Sequence, residues 1–93
     1  MPLVPLGQMP RGACGIIAAI DTTMIHSHLP PAELERRLLE LGMVEGARVD
    51  IRHQGLFGRD PIAVRVDCHA TFALRRREAS AVMVRLLAPE DAK

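Results

Sequence analysis

The sequence predicts a mainly β fold: a small barrel of about five strands, with one α-helix between strands 1 and 2. Three observations carry that expectation. Several short segments alternate apolar and polar residues with a period of two. A single segment spaces its leucines for a helix, with Leu34, Leu38 and Leu41 at i, i+4 and i+7. The connections are short and carry glycine, proline and aspartate, the residues of tight turns. Short strands in so small a chain cannot cover both sides of a flat sheet. Curling into a barrel removes the edges and gives the helix a core to join.

The elements follow in chain order. Residues 1–12 read as an extended, Pro- and Gly-rich lead-in. Residues 13–88 form the barrel domain, and 89–93 are a polar tail. From Cys14 to Ile20 the chain alternates, which places Cys14, Ile16, Ala18 and Ile20 on the inward side of a first strand. The polar stretch DTTMIHSHLPP ends in a double proline, a helix-entry signal. In the helix, Leu39 widens the leucine face and Glu33 and Arg37 are spaced to pair. Gly42 stands where a left-handed residue ends a helix, and Glu45-Gly46 turns the chain.

Ala47, Val49 and Ile51 then alternate with Arg48, Asp50 and Arg52. The stretch QGLFGRD reads as a loop with Leu56 and Phe57 near its tip. Pro61 opens a strand with Ile62, Val64 and Val66 inward. After a tight connection the chain returns with Phe72 and Leu74 inward. RRREAS is one polar helical or 3-10 turn, and residues 81–87 are the last strand.

Composition bounds the function. A chain of 93 residues with 25% charged side chains is one folded domain. Its net charge of +1 is too balanced to indicate nucleic-acid binding. Between Gly46 and Arg85, however, eight arginines face four acids, which suits a basic face for an acidic partner. Two cysteines, Cys14 and Cys68, make no disulfide framework, and both alternate inward as buried thiols. MPLVPLGQMPRG has no early basic residue and three prolines, unlike a signal peptide. No apolar run approaches the roughly 18 residues of a membrane span. A cytoplasmic protein that reaches a membrane only through a partner is expected.

Several chemistries are disfavoured by the residues themselves. There is no glycine-rich phosphate loop and no nucleophile elbow, so no enzyme is expected. Polyproline grooves and single-strand nucleic-acid platforms need aromatic rings. This chain has no Trp or Tyr, and its two Phe are Phe57 and Phe72.

The segments LLELGMVEGARVDI, DPIAVRV and FALRRREASAVMV together resemble the FeoA family of ferrous iron transport accessory proteins. The matching steps are Leu41-Gly42-Met43, Glu45-Gly46, Asp60-Pro61-Ile62 and Ala73-Leu74-Arg75, within a match over about residues 6–87. The resemblance implies an SH3-like barrel. It also implies a cytosolic partner, the FeoB membrane iron transporter with its GTP-binding domain. The same domain type occurs in iron-dependent repressors, so fold alone does not assign the role. Asp67-Cys68-His69 departs from the family's glycine turn and predicts a longer turn or a bulge.

Candidate contact residues are Leu56 and Phe57 in the apolar loop and Arg75, Arg76 and Arg77 in the polar turn. Candidate metal ligands are His26, His28, Cys68 and His69, whose imidazole and thiolate donors suit zinc or ferrous iron. They define the alternative function, a metal-binding sensor or carrier. No cofactor is required, and opportunistic binding of Zn or Fe(II) at these side chains is the expected extent of metal chemistry. Leu34, Leu38, Leu41, Gly42, Gly46 and Pro61 are assigned to structure. Exposed strand edges also permit a weak homo-oligomer.

Overall fold

The computed structural model describes residues 3–23, 29–57 and 60–87, leaving aside the side chains of 53–57. The elements are β1 (Leu3–Pro5), a 3-10 turn (Leu6–Gln8), β2 (Cys14–Ile20), α1 (Pro31–Glu40), β3 (Arg48–Phe57), β4 (Asp60–Val66), β5 (Ala70–Leu74), α2 (Arg76–Ala79) and β6 (Val82–Leu86). The strands form one antiparallel sheet in the order β1-β6-β2-β3-β4-β5. The expected mainly β architecture with one longer helix between the early strands is present. The sheet has six strands, and β1 and β5 are its two edges.

The segments that follow the two edge strands meet. The 3-10 turn follows β1 and α2 follows β5, and the two pack together. Gly7 lies so close to α2 that a methyl group there would collide with the Arg76 carbonyl oxygen and the Ser80 hydroxyl. The Arg76 guanidinium donates to the Gly7 carbonyl. Asp60 closes the same corner from β4, its Oδ1 accepting from the backbone N–H of Arg76 at 2.7 Å. A carboxylate there satisfies an otherwise orphaned N–H at the start of α2.

The lead-in is therefore part of the sheet. β1 pairs with β6 in the register Leu3↔Arg85 to Pro5↔Met83. Leu6 and Met9 are fully buried in the core. Three residues are too few to show a period, and Pro2, Pro5 and Pro10 mask the strand in sequence.

The core is built by Val49, Ile51, Ile62, Val64, Val66, Leu74, Val82 and Val84 from the sheet, with Leu34 and Leu38 from α1. The alternation read in β3, β4 and β5 matches it. In β2 the parity differs: Ile17 enters the core, whereas Cys14 and Ile16 lie opposite Asp50 and Arg48 on the other face. A register shift between Ile17 and Ala19 breaks the alternation, and Ile20 returns to pack against the core. One extra residue in a strand flips every side chain beyond it.

α1 begins with Pro31 at its first turn and Pro30 as its N-cap. Leu34 and Leu38 are buried, Leu41 packs half-buried, and Leu39 is 45% exposed, outside the stripe expected for it. The ion pair on the helix is Arg36–Glu40 at 3.9 Å, not Glu33–Arg37. The helix stops in a Schellman arrangement. Met43 N–H donates to the Leu38 carbonyl at 3.1 Å and Gly42 N–H to Leu39 at 3.0 Å, with Gly42 at φ +88°. Met43 and Leu38 are both fully buried, the apolar contact that accompanies this motif. Gly46, at φ +89°, completes the turn closed by Ala47 N–H to the Val44 carbonyl. Asp60–Pro61 is a cis peptide bond.

Among the described residues no helix is long and apolar enough to cross a membrane.

Candidate functional site

The surface groups predicted for contact fall in two places. Leu56 and Phe57 lie in β3, not in a loop: the strand runs to Phe57, which pairs with Asp60. Two register shifts between Ile51 and Phe57 explain why no clean alternation marks this segment. The side chains of Leu56 and Phe57 lie outside the described residues.

The three arginines separate in role. Arg75 is the N-cap of α2 in extended backbone, and Arg76 and Arg77 open the helix. Arg75 and Arg77 are exposed, whereas Arg76 is half-buried and donates into the Gly7 corner. Among the described residues neither Arg75 nor Arg77 makes an ion pair. Arg75 also lines an open cleft of about 380 Å³ between α1 and the β5–α2 junction, together with Leu29, Arg37, Pro61, Ala73 and Glu78. This cleft holds two guanidinium groups and one carboxylate beside apolar walls. The sequence reading spaced Arg37 to pair with Glu33 on the outward helix face and did not bring it together with Arg75.

The proposed metal ligands are placed only in part. His26 and His28 lie outside the described residues. Cys68 and His69 are exposed in the β4–β5 turn. The expectation of a buried Cys68 is corrected: the turn carries it outward, with Asp67 at φ 52° and Cys68 at φ 60°. The predicted lengthening of the turn is present, since three residues separate the paired Val66 and Ala70. Two neighbouring donors are half of a tetrahedral set. Among the described residues no three His, Cys, Asp or Glu side chains cluster as a metal site would require.

The connector that carries His26 and His28 is fixed at its start. Asp21 N–H donates to the Ala81 carbonyl at 2.7 Å. Thr23 donates its hydroxyl to Asp21 Oδ1 at 2.6 Å and its N–H at 3.0 Å. These two bonds, the hydroxyl first, hold the Asp21 carboxyl below its ordinary value of 3.8.

A charged group unseen in sequence lies on the outer sheet face. Asp50 is 8% exposed and accepts from Arg65 through both carboxylate oxygens, at 3.3 and 3.2 Å. Arg52 approaches it at 3.4 Å. Arg65 stands directly across the ladder from Asp50, so register creates the pair. Cys14 is Asp50's neighbour on β2, and the Arg48 guanidinium reaches its sulfur at 3.8 Å. Cys14 is thus buried as expected, but on this outer face. These arginines are held by the fold, unlike Arg75 and Arg77.

Comparison with known proteins supports one family. The FeoA domain model matches residues 4–86. The chain is similar to an iron uptake regulatory protein FeoA at 29% identity, covering 91% of this chain and 99% of that one, with a TM-score of 0.70. It is similar to the zinc-complexed FeoA of Stenotrophomonas maltophilia, at 31% identity over 86% of this chain and 87% of that one, with a TM-score of 0.69. That protein is described as a prokaryotic SH3-domain protein and a candidate activating factor for ferrous iron transport. A manganese-dependent transcriptional repressor is similar at 25% identity, covering 94% of this chain but 44% of the repressor, with a TM-score of 0.71. A search of the curated proteins gives no significant match. The fold is SH3-like, with its sheet unclosed at the β1 and β5 edges. The family match spans every strand from the middle of β1 to the end of β6, and the chain belongs to the FeoA family, a family of accessory domains associated with ferrous iron transport.

Proposed function

We propose that this protein regulates ferrous iron uptake without catalysis, by docking on the cytosolic part of a FeoB-type transporter. The observation that carries the reading is the extent of the family match, residues 4–86, which takes in all of the described sheet but the first residue of β1. The surface agrees with a contact role. Among the described residues the exposed guanidinium groups of Arg75 and Arg77 make no ion pair, and at the start of α2 they can read an acidic surface. The protein acts from the cytoplasmic side and meets the membrane through its partner. No resident cofactor enters this reading.

Calorimetric titration into the purified soluble GTP-binding domain of the cognate transporter, with and without nucleotide, tests it. Saturable binding that depends on nucleotide is expected. Absence of binding to both that domain and the full-length transporter in detergent would sink the proposal.

A further inference from the structure

The two edges of the sheet are protected very differently. β1 is three residues long and contains Pro5, which has no N–H to offer a neighbouring strand. β5, with the sequence ATFAL, has no charge, no proline and no bulge in its pairing with β4. Among the described residues it is hydrogen-bonded on the β4 side alone. Among the described residues its outer edge is a row of backbone donors and acceptors with no strand partner, the feature that stable proteins usually blunt. Ala70, Thr71 and Ala73 are exposed along it.

Charge lies at one end of this edge. The cleft lined by Arg37, Ala73, Arg75 and Glu78 sits where β5 runs into α2. Among the described residues neither Arg37 nor Arg75 has an ion-pair partner. Asp60, next to the cleft-lining Pro61, is used by the Arg76 N–H, and Glu40 on α1 by Arg36. Glu78 offsets one of the two charges, so the cleft keeps a net positive charge.

We infer that the β5 edge is a docking strand for an extended, acidic segment of a partner protein, whose carboxylates seat between Arg37 and Arg75. Strand addition supplies sequence-independent backbone hydrogen bonds, and the two arginines supply selection for acid. A second copy of this chain fits less well, because self-pairing of β5 brings two cationic clefts to one interface. The inference rests on the transporter-contact reading for the identity of the partner, and it adds the surface and the chemistry of the segment recognised.

The test uses the ¹⁵N-labelled full chain and the purified soluble GTP-binding domain of the transporter. Slowed exchange of the Thr71 and Ala73 amides on binding is expected. Arg37→Glu/Arg75→Glu should weaken binding by about tenfold and flatten its salt dependence. Both side chains are exposed or line open space, so folding is not at stake. Ala73→Glu should weaken binding where Ala73→Lys does not. Binding that is indifferent to these charges, or whose footprint lies away from β5, overturns the inference and leaves the transporter contact standing. Absence of any binding overturns both. Protection of β5 that grows with protein concentration without partner overturns it in favour of self-association.

Discussion

The reversals between α1 and β3 and between β4 and β5 both enter the left-handed backbone region, and they do so with different residues. Between α1 and β3 the positive φ angles fall on Gly42 and Gly46, which have no side chain to clash. Between β4 and β5 they fall on Asp67 and Cys68. The first reversal is relaxed and anchored by a buried leucine. The second is held by a hydrogen bond and keeps one residue under strain. Where the backbone is relaxed, the fold depends on packing. Where it is strained, the fold depends on a specific partner, and a change of residue can help as well as harm.

The largest expected effect attacks the anchor of the first reversal. Leu38 accepts the Met43 N–H through its carbonyl and is itself fully buried. Leu38→Ala should cost about 2–5 kcal/mol, by lost transfer energy and by the cavity left behind. Urea denaturation measures it. A loss below about 1 kcal/mol would mean that α1 is peripheral to the core.

Next comes the glycine itself. A methyl group on Gly42 would meet Val66 Cγ1 at 3.6 Å, an ordinary contact, so the space is available. The penalty of Gly42→Ala is then one of backbone alone, about 1–2 kcal/mol. Gly42→Asn, which tolerates the left-handed region better, should recover part of it in the same denaturation assay. Equal losses for both substitutions would point to sterics in place of φ.

The first reversal was legible and the second was not, for a physical reason. A glycine after a leucine stripe signals a left-handed stop because few other residues adopt that backbone, and Leu34, Leu38 and Gly42 all stand where the sequence placed them. Asp67 and Cys68 carry no such signature: a cysteine following Val66 reads as continued alternation, and only the turn sends it outward. The same limit recurs elsewhere. Period-two alternation identified β4 and β5, but a bulge inverted β2 and hid Ile17. Asp50 looked like a solvent-facing residue because its burial is created by Arg65, fifteen positions away. The contact cleft was half-legible. Arg75 was in view, but Arg37 joins it only through tertiary placement of α1.

The third prediction removes the bond that holds the second reversal. Asp67 Oδ1 accepts the Arg48 N–H at 2.9 Å, and the Asp67 N–H returns to the Arg48 carbonyl at 2.7 Å. Asp67→Ala loses the side-chain acceptor and should cost about 1 kcal/mol. Asp67→Asn keeps an acceptor oxygen and tolerates the left-handed region, so it should be close to neutral. If both variants lose stability equally, the carboxylate charge matters and the hydrogen bond does not.

The smallest effect has the opposite sign. Cys68 is exposed at φ 60°, so its side chain contributes no burial while its backbone bears the left-handed penalty. Glycine removes that penalty of roughly 1–2 kcal/mol, but its unfolded chain is more flexible, which returns about 0.5–1 kcal/mol to the unfolded state. Cys68→Gly should therefore stabilise the protein by about 0.5 kcal/mol, a rise of a few degrees in Tm for a domain of this size. Cys68→Ser is the necessary comparison, because it removes the thiol and keeps the strain. A rise with glycine and none with serine assigns the effect to φ at this one residue. An equal rise in both would move the cause to the thiol, and the β4–β5 turn would then be no more strained than the glycine turn it is set against.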